Sequence, residues 1–231
     1  MKRLLATVLL AFCPPALQAA PVATLLYEMA EPGVDAAPAR YLITPDYLRL
    51  DDGAEAGDFV LYDRKARVIY NVVHADRTIG EIHWRAVKQP PPQSLHLNER
   101  EVGLGEGAPR VGGRTAVRRQ LYAGERLCLD AVVVPGLMPD AVAAMADMQK
   151  VLAGEHAALI PHIPADVQGA CDLAINIYAP GWPLRFGLPI QQHEYNGRRW
   201  SLVDFRADVE MAPTLFTLPT DYRRFNITAI K

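Results

Sequence analysis

The chain has 231 residues, of which 50% are hydrophobic, and its 24 Lys and Arg nearly balance 26 Asp and Glu, leaving a formal charge of −2. That balance supplies neither a basic field for a phosphate backbone nor an acidic tail, which excludes nucleic acid as a partner. Past residue 20 no uninterrupted apolar run approaches the roughly 20 residues of a spanning helix, so the mature protein is expected to be soluble, with membrane contact at most peripheral.

Residues 1–20, MKRLLATVLLAFCPPALQAA, place Lys2 and Arg3 before an apolar run from Leu4 to Phe12, then Pro14-Pro15 and the small Ala19 and Ala20. This is the order of a secretory signal peptide, which predicts cleavage near Ala19 or Ala20 and export across the inner membrane to the periplasm. Cys13 raises the alternative of an acylated, tethered chain, but Phe12 is bulky where such sites carry a small residue, so free secretion is the expectation. The remainder, 21–231, is of a length that one β-rich domain accommodates.

Val22 to Met29 reads as the first strand, and the Pro, Gly and Ala-rich segment 30–40 as a loop or loosely covered edge. From Tyr41 to Trp84 short runs rich in Val, Ile, Leu, Tyr and Phe are separated by Pro45-Asp46, Asp51-Asp52-Gly53, Asp63-Arg64-Lys65 and His74-Ala75-Asp76. Strand-length runs between turn residues predict an antiparallel meander. Phe59 to Tyr62 and Val68 to Val73 lack clean polar alternation, which predicts strands covered on both faces. A connector follows at Pro90-Pro91-Pro92, with room for a strand between Leu95 and Leu104 and glycine turns after it. Thr115 to Tyr122 and Arg126 to Val134 form a second hairpin about Ala123-Gly124-Glu125.

Pro139-Asp140 opens the one clear helix, with Pro tolerated in the first turn and Asp favourable at the positive end of the dipole. Val142, Met145, Met148 and Leu152 recur at spacings of three and four, an apolar stripe suited to covering the sheet. The segment from Cys171 onward returns to strands, DLAINIYA, PLRFGLPIQQHEY and RRWSLVDFRADVEM, with Asn196-Gly197 as a hairpin signal between the last two. The fold class is therefore α+β, mainly β: a curved antiparallel sheet, an incomplete barrel, packed on one main helix.

Two cysteines remain after the signal, Cys128 and Cys171, and an even count in an exported chain predicts one disulfide. The six histidines show no i, i+4 pair of the kind that seats zinc on a helix. Ser94 and Ser201 are the only serines, and neither sits in a Gly-x-Ser-x-Gly elbow. No catalytic, metal-ligating or cofactor-binding residue is assigned, and no cofactor is expected. Met145, Met148 and Leu152 are the candidate ligand-lining residues, because Met is deformable and polarizable. Core packing against the sheet is the simpler role for the same stripe.

Arg49, Asp51 and Gly53, then Phe59 to Tyr62, then Asp63, Arg64 and Lys65, then Val68 to Val73 ending in His74, Asp76 and Thr78, form a pattern of turns and strands. With Phe216-Thr217-Leu218-Pro219-Thr220-Asp221-Tyr222 near the end, it resembles uncharacterised periplasmic proteins related to the LolA/LolB-like lipoprotein carriers. Asp221 stands where that group carries Gly, and residues 88–113 and 154–170 are unmatched. The resemblance implies an incomplete barrel wrapped around helices, whose concave apolar side accommodates acyl chains or another hydrophobic guest. The function it suggests is a periplasmic, non-enzymatic binding or carrier protein for a hydrophobic ligand, a lipid or an acylated protein. The alternative is a structural or protein-interaction module of the cell envelope with a filled core; an envelope hydrolase ranks third.

Overall fold

The computed structural model describes residues 21–54, 56–104 and 107–227; the signal-peptide expectation, Cys13 included, lies outside the described residues. Two meanders make the frame. The first runs β1 (Pro21–Ala30), β2 (Ala37–Ile43), β3 (Tyr47–Asp51), β4 (Phe59–Asp63), β5 (Val68–Val73) and β6 (Thr78–His83), each strand antiparallel to the one before it. The second takes β7 (Leu97–Val102), passes a small separate hairpin of β8 (Arg110–Val111) and β9 (Arg114–Thr115), and continues with β10 (Val117–Ala123) and β11 (Arg126–Val134). After the helical region come β12 (Leu188–Glu194) and β13 (Arg199–Glu210), turning at Asn196-Gly197, where Gly197 supplies the positive φ of 89° that the hairpin demands. Pairing of β1 with β13 joins the meanders, with Leu25 opposite Phe205 and Tyr27 opposite Leu202.

The resulting twelve-stranded sheet does not close: β7 forms one edge, and β14 (Arg223–Asn226) forms the other by adding parallel to β6. The architecture is α+β and mainly β, as the sequence pattern predicts, with this one parallel pair in an otherwise antiparallel ladder.

Helix α1 (Pro139–Leu159) lies on one face, here the inner face, and begins at the Pro139-Asp140 signal. Its Ala141, Ala144, Met145, Met148 and Val151 are buried among Leu25, Tyr27, Tyr41, Leu48, Tyr62 and Ile69 of the first meander. A second core lies beneath the other meander, where Leu121, Leu129, Ala131 and Val133 meet Leu173, Ala174, Ile177 and Trp182. On the outer face the C-terminal segment crosses the first meander as a strap. Phe216, Leu218 and Tyr222 pack on Phe59, Leu61, Val72 and Ile79. Strands β4 and β5 are thus covered twice, which explains their lack of alternation.

Three sequence expectations are corrected. DLAINIYA is helical: α2 (Ala170–Leu173) runs into a π-turn over Ala174–Tyr178. Its Leu173, Ala174 and Ile177 keep a helical one-sided spacing that the β-branched residues disguise, and burial of that side decides the outcome. In PLRFGLPIQQHEY the strand starts only at Leu188, after a 3₁₀ turn at Trp182–Arg185. The 30–40 segment, read as a loop or loosely covered edge, is a loop only as far as residue 36: Ala37 already pairs with Met29, and β2 runs between β1 and β3 rather than at an edge, with Ala37 and Pro38 exposed.

The bridge between Cys128 on β11 and Cys171 on α2 is formed, tying the helical region to the sheet. On the outer face Asp51, whose side chain is fully buried, accepts from Arg40 (2.8 Å) and Arg49 (2.6 Å), while Arg49 also donates to the carbonyl of Leu215 at 2.8 Å and lies 3.8 Å over the Phe59 ring. This charge cluster pins the strap to the sheet.

Candidate functional site

The inner face is filled along most of α1; open volume remains in clefts on the sheet, beside β7 and α1 (about 470 Å³), and at the helical region. A cleft of about 420 Å³ lies between the end of α1 and the segment that returns from it. Leu159, Ile160, Ile163, Val167, Leu173 and Ile177 give it an apolar wall. Ile163 is 39% exposed and Val167 62% exposed, and both stand on the wall of this one cleft. The local sequence explains the shape: Pro161 and Pro164 break α1 into short 3₁₀ turns, Ile160–His162 and Ala165–Val167, so the chain reverses without forming a second long helix to cover these side chains. Gln168 holds the reversal by donating to the carbonyls of Ile160 and Ile163, the latter at 2.7 Å.

A smaller cavity of about 130 Å³ lies deeper, where β1, β2, β12 and β13 face α1 and the π-turn. Tyr27, Tyr41, Trp182 and Trp200 line it together with Met145 and Glu194. The aromatic rings brace one another: Tyr27 stands edge-on to Tyr41 at 5.7 Å and to Trp200 at 6.2 Å, and its hydroxyl donates to the carbonyl of Pro189 at 2.7 Å. Burial raises the Tyr27 hydroxyl well above its ordinary value, with Tyr41 adding to the effect, and burial likewise raises Tyr41, so both phenols are neutral here. Trp182 is anchored to the edge strand β7 by donating its Nε1 to Glu99 at 2.7 Å, an acceptor shared with Arg185. Asn176 and Arg198 line both the cavity and the cleft.

Glu194 ends β12 with a side chain 14% exposed. Its partners are distant: the Arg198 guanidinium at 3.9 Å and the Asn196 amide at 3.5 Å. Burial raises its carboxyl above the ordinary glutamate value, and Arg198 offsets this in part. Arg198 itself is taken by Glu31, at 2.9 Å. Nearby, Tyr195 donates to Asp172, and burial together with that bond lifts the phenol to about 12.

Of the candidate ligand-lining residues, Met145 lines the inner cavity, whereas Met148 is 4% exposed in the core and Leu152 packs against that core. The histidines stay apart: His74 bonds Tyr222, His83 approaches Asn226 and Glu81, and His156 lines the cleft. Among the described residues no group of three or more His, Cys, Asp and Glu is placed to hold a metal ion. Sequence reasoning gave no role to Glu194, Trp182, Trp200 or the two tyrosines. The four aromatic residues converge from β1, β2, β13 and the 3₁₀ turn before β12, segments that only the fold brings together, so no local spacing could have announced them.

No protein-family model matches the sequence, and no curated protein does. Among solved structures the fold is similar to PNGF-II in a C2 crystal form, at TM-score 0.45 and 8% identity over 91% of this chain and 31% of that one. It is also similar to an uncharacterized conserved protein from Thermus thermophilus, at TM-score 0.43 and 10% identity over 90% of this chain and 91% of that one. A third likeness is to MucB, at TM-score 0.39 and 13% identity over 88% of this chain and 59% of that one. The chain thus spans about a third of PNGF-II, and likenesses at this level assign neither a family nor an activity.

Proposed function

We propose that this protein is an exported, non-enzymatic binding or carrier module of the periplasm with a LolA-like open sheet, and that it takes a hydrophobic ligand, a lipid or an acylated protein. The observation that carries the reading is the cleft of about 420 Å³ with exposed Ile163 and Val167 on its wall. Its size falls in the range of roughly 300–1,000 Å³ found for ligand sites. The deeper cavity, at about 130 Å³, is too small for an acyl chain, since an engineered apolar cavity of about 150 Å³ holds a guest the size of benzene. The apolar part of the ligand is assigned to the cleft walled by Ile163 and Val167, where branched aliphatics stand exposed, beside α1 rather than beneath it. The disulfide suits the oxidising compartment that this role requires.

Displacement of a fluorescent fatty-acid probe tests the reading. The native protein is expected to bind the probe, and the double variant Ile163→Asp with Val167→Asp is expected to weaken binding at least tenfold while keeping the native circular dichroism spectrum. Absence of probe binding by the native protein, together with no hydrophobic species extracted from protein purified from its own envelope, overturns it. The second reading, a structural or protein-interaction module, is favoured by one observation: Ala144 and Val151 are fully buried and Met148 nearly so, which leaves the sheet's inner face occupied by α1.

A further inference from the structure

We propose that the inner cavity receives a cationic group, so that the ligand is an amphiphile with an ammonium or guanidinium head in the cavity and its apolar portion in the neighbouring cleft. This rests on the binding reading above and adds to it the chemistry of the polar end.

The argument starts from Glu194. A carboxylate that is 14% exposed ordinarily has a short, charge-assisted partner, because a buried ion without one is costly. Here the guanidinium stands at 3.9 Å and the amide at 3.5 Å, while Arg198 spends its close contact on Glu31 at 2.9 Å. Among the described residues no cationic donor stands closer to the Glu194 carboxylate than Arg198 at 3.9 Å. The space beside it is lined by two tyrosines and two tryptophans, whose ring faces attract a cation in a desolvated site. At about 130 Å³ the cavity has room for a headgroup and little else.

The surrounding charge agrees. Two carboxylates, Glu31 and Glu194, face Arg198, and Asp172 shares the lining of the cleft with it. An incoming carboxylate or phosphate meets like charge and finds Arg198 already engaged; an ammonium group meets an acid whose nearest guanidinium stands 3.9 Å away. Because Asn176 and Arg198 line both spaces, a head in the cavity and a tail in the cleft lie on either side of the same pair of residues.

The test compares amphiphiles that share one tail: dodecyltrimethylammonium, dodecyl maltoside and dodecyl sulfate, each below its micelle concentration, followed by calorimetry and by the fluorescence of Trp182 and Trp200. The trimethylammonium compound is expected to bind about tenfold tighter than the maltoside, the sulfate weakest of the three, consistent with one desolvated cation–π and ion contact. In Glu194→Gln the advantage of the cation over the maltoside should fall to about threefold or less, with the maltoside affinity unchanged. Tetramethylammonium alone should quench tryptophan emission in the native protein and not in Glu194→Gln. Equal binding of all three amphiphiles, or preference for the sulfate, overturns the inference and leaves the hydrophobic-ligand reading standing. Failure of all three to bind removes both. The comparison on the native protein decides the matter even if the variant folds poorly.

Discussion

Asp51 shows how much a single buried acid determines here. Burial by itself raises its carboxyl, but the hydrogen bonds from Arg40 and Arg49 outweigh that penalty and hold it below the ordinary aspartate value. A depressed value means stabilisation that is complete above the unfolded-state value and is lost as pH falls through the folded one. Asp51→Ala leaves two guanidinium groups without their acceptor and is expected to cost about 3–5 kcal/mol in urea unfolding at neutral pH, with the difference from the native protein shrinking at acid pH. Glu194 has the opposite sign. Its raised value makes the fold favour the protonated form, so its contribution is fully present below the ordinary glutamate range and is lost as pH rises through the raised value. Glu194→Gln is therefore expected to melt no lower than the native protein at pH 7, and an appreciably lower melting temperature contradicts the account of Glu194 as an acid awaiting a partner. Sequence reading singled out Arg49 and Asp51 as part of a turn pattern, and the network they build is invisible without knowing that Leu215 lies against them.

At the scale of elements, the start of α1 and the stripe along it are legible because Pro139-Asp140 and the three-and-four spacing are local signals. The β2 to β6 meander is legible for the same reason. The helical turns of 160–185 are not, since prolines, a π-turn and a disulfide override the propensity of an Ile- and Tyr-bearing run. One crossing reverses an ordinary expectation. Gly154 lies inside α1, where alanine normally stabilises by up to about 1 kcal/mol. A methyl group there would stand 2.3 Å from the carbonyl oxygen of Arg85, so the segment after β6 must shift. Gly154→Ala is expected to destabilise by about 1–3 kcal/mol, and a gain in stability would show that the 85 region yields freely. The strap is likewise tertiary in origin. Phe216 stacks on Tyr47 at 6.2 Å, and Phe216→Ala is expected to cost about 2 kcal/mol in thermal or urea unfolding.

Across the whole molecule, the disulfide is the covalent link between the sheet and the helical region that carries the cleft. Closing a loop with sequence separation 43 corresponds to about 4 kcal/mol in the chain-entropy description, so reduction is expected to lower the melting temperature and to loosen residues 160–180 first, as hydrogen exchange would report. A uniform loss of protection would instead indicate one cooperative unit. The pairing is legible in the even count of cysteines past residue 20, but the place of the bridge, between β11 and α2, follows from the fold alone. The seam between the meanders has a consequence for biogenesis. Strand β1 has β2 on one side, yet its other edge stays open until residues 199–210 have been synthesised. The sheet's middle is therefore complete only once residues 199–210 have joined β1, and until then that strand presents an unsatisfied edge, the kind of exposure that favours aggregation.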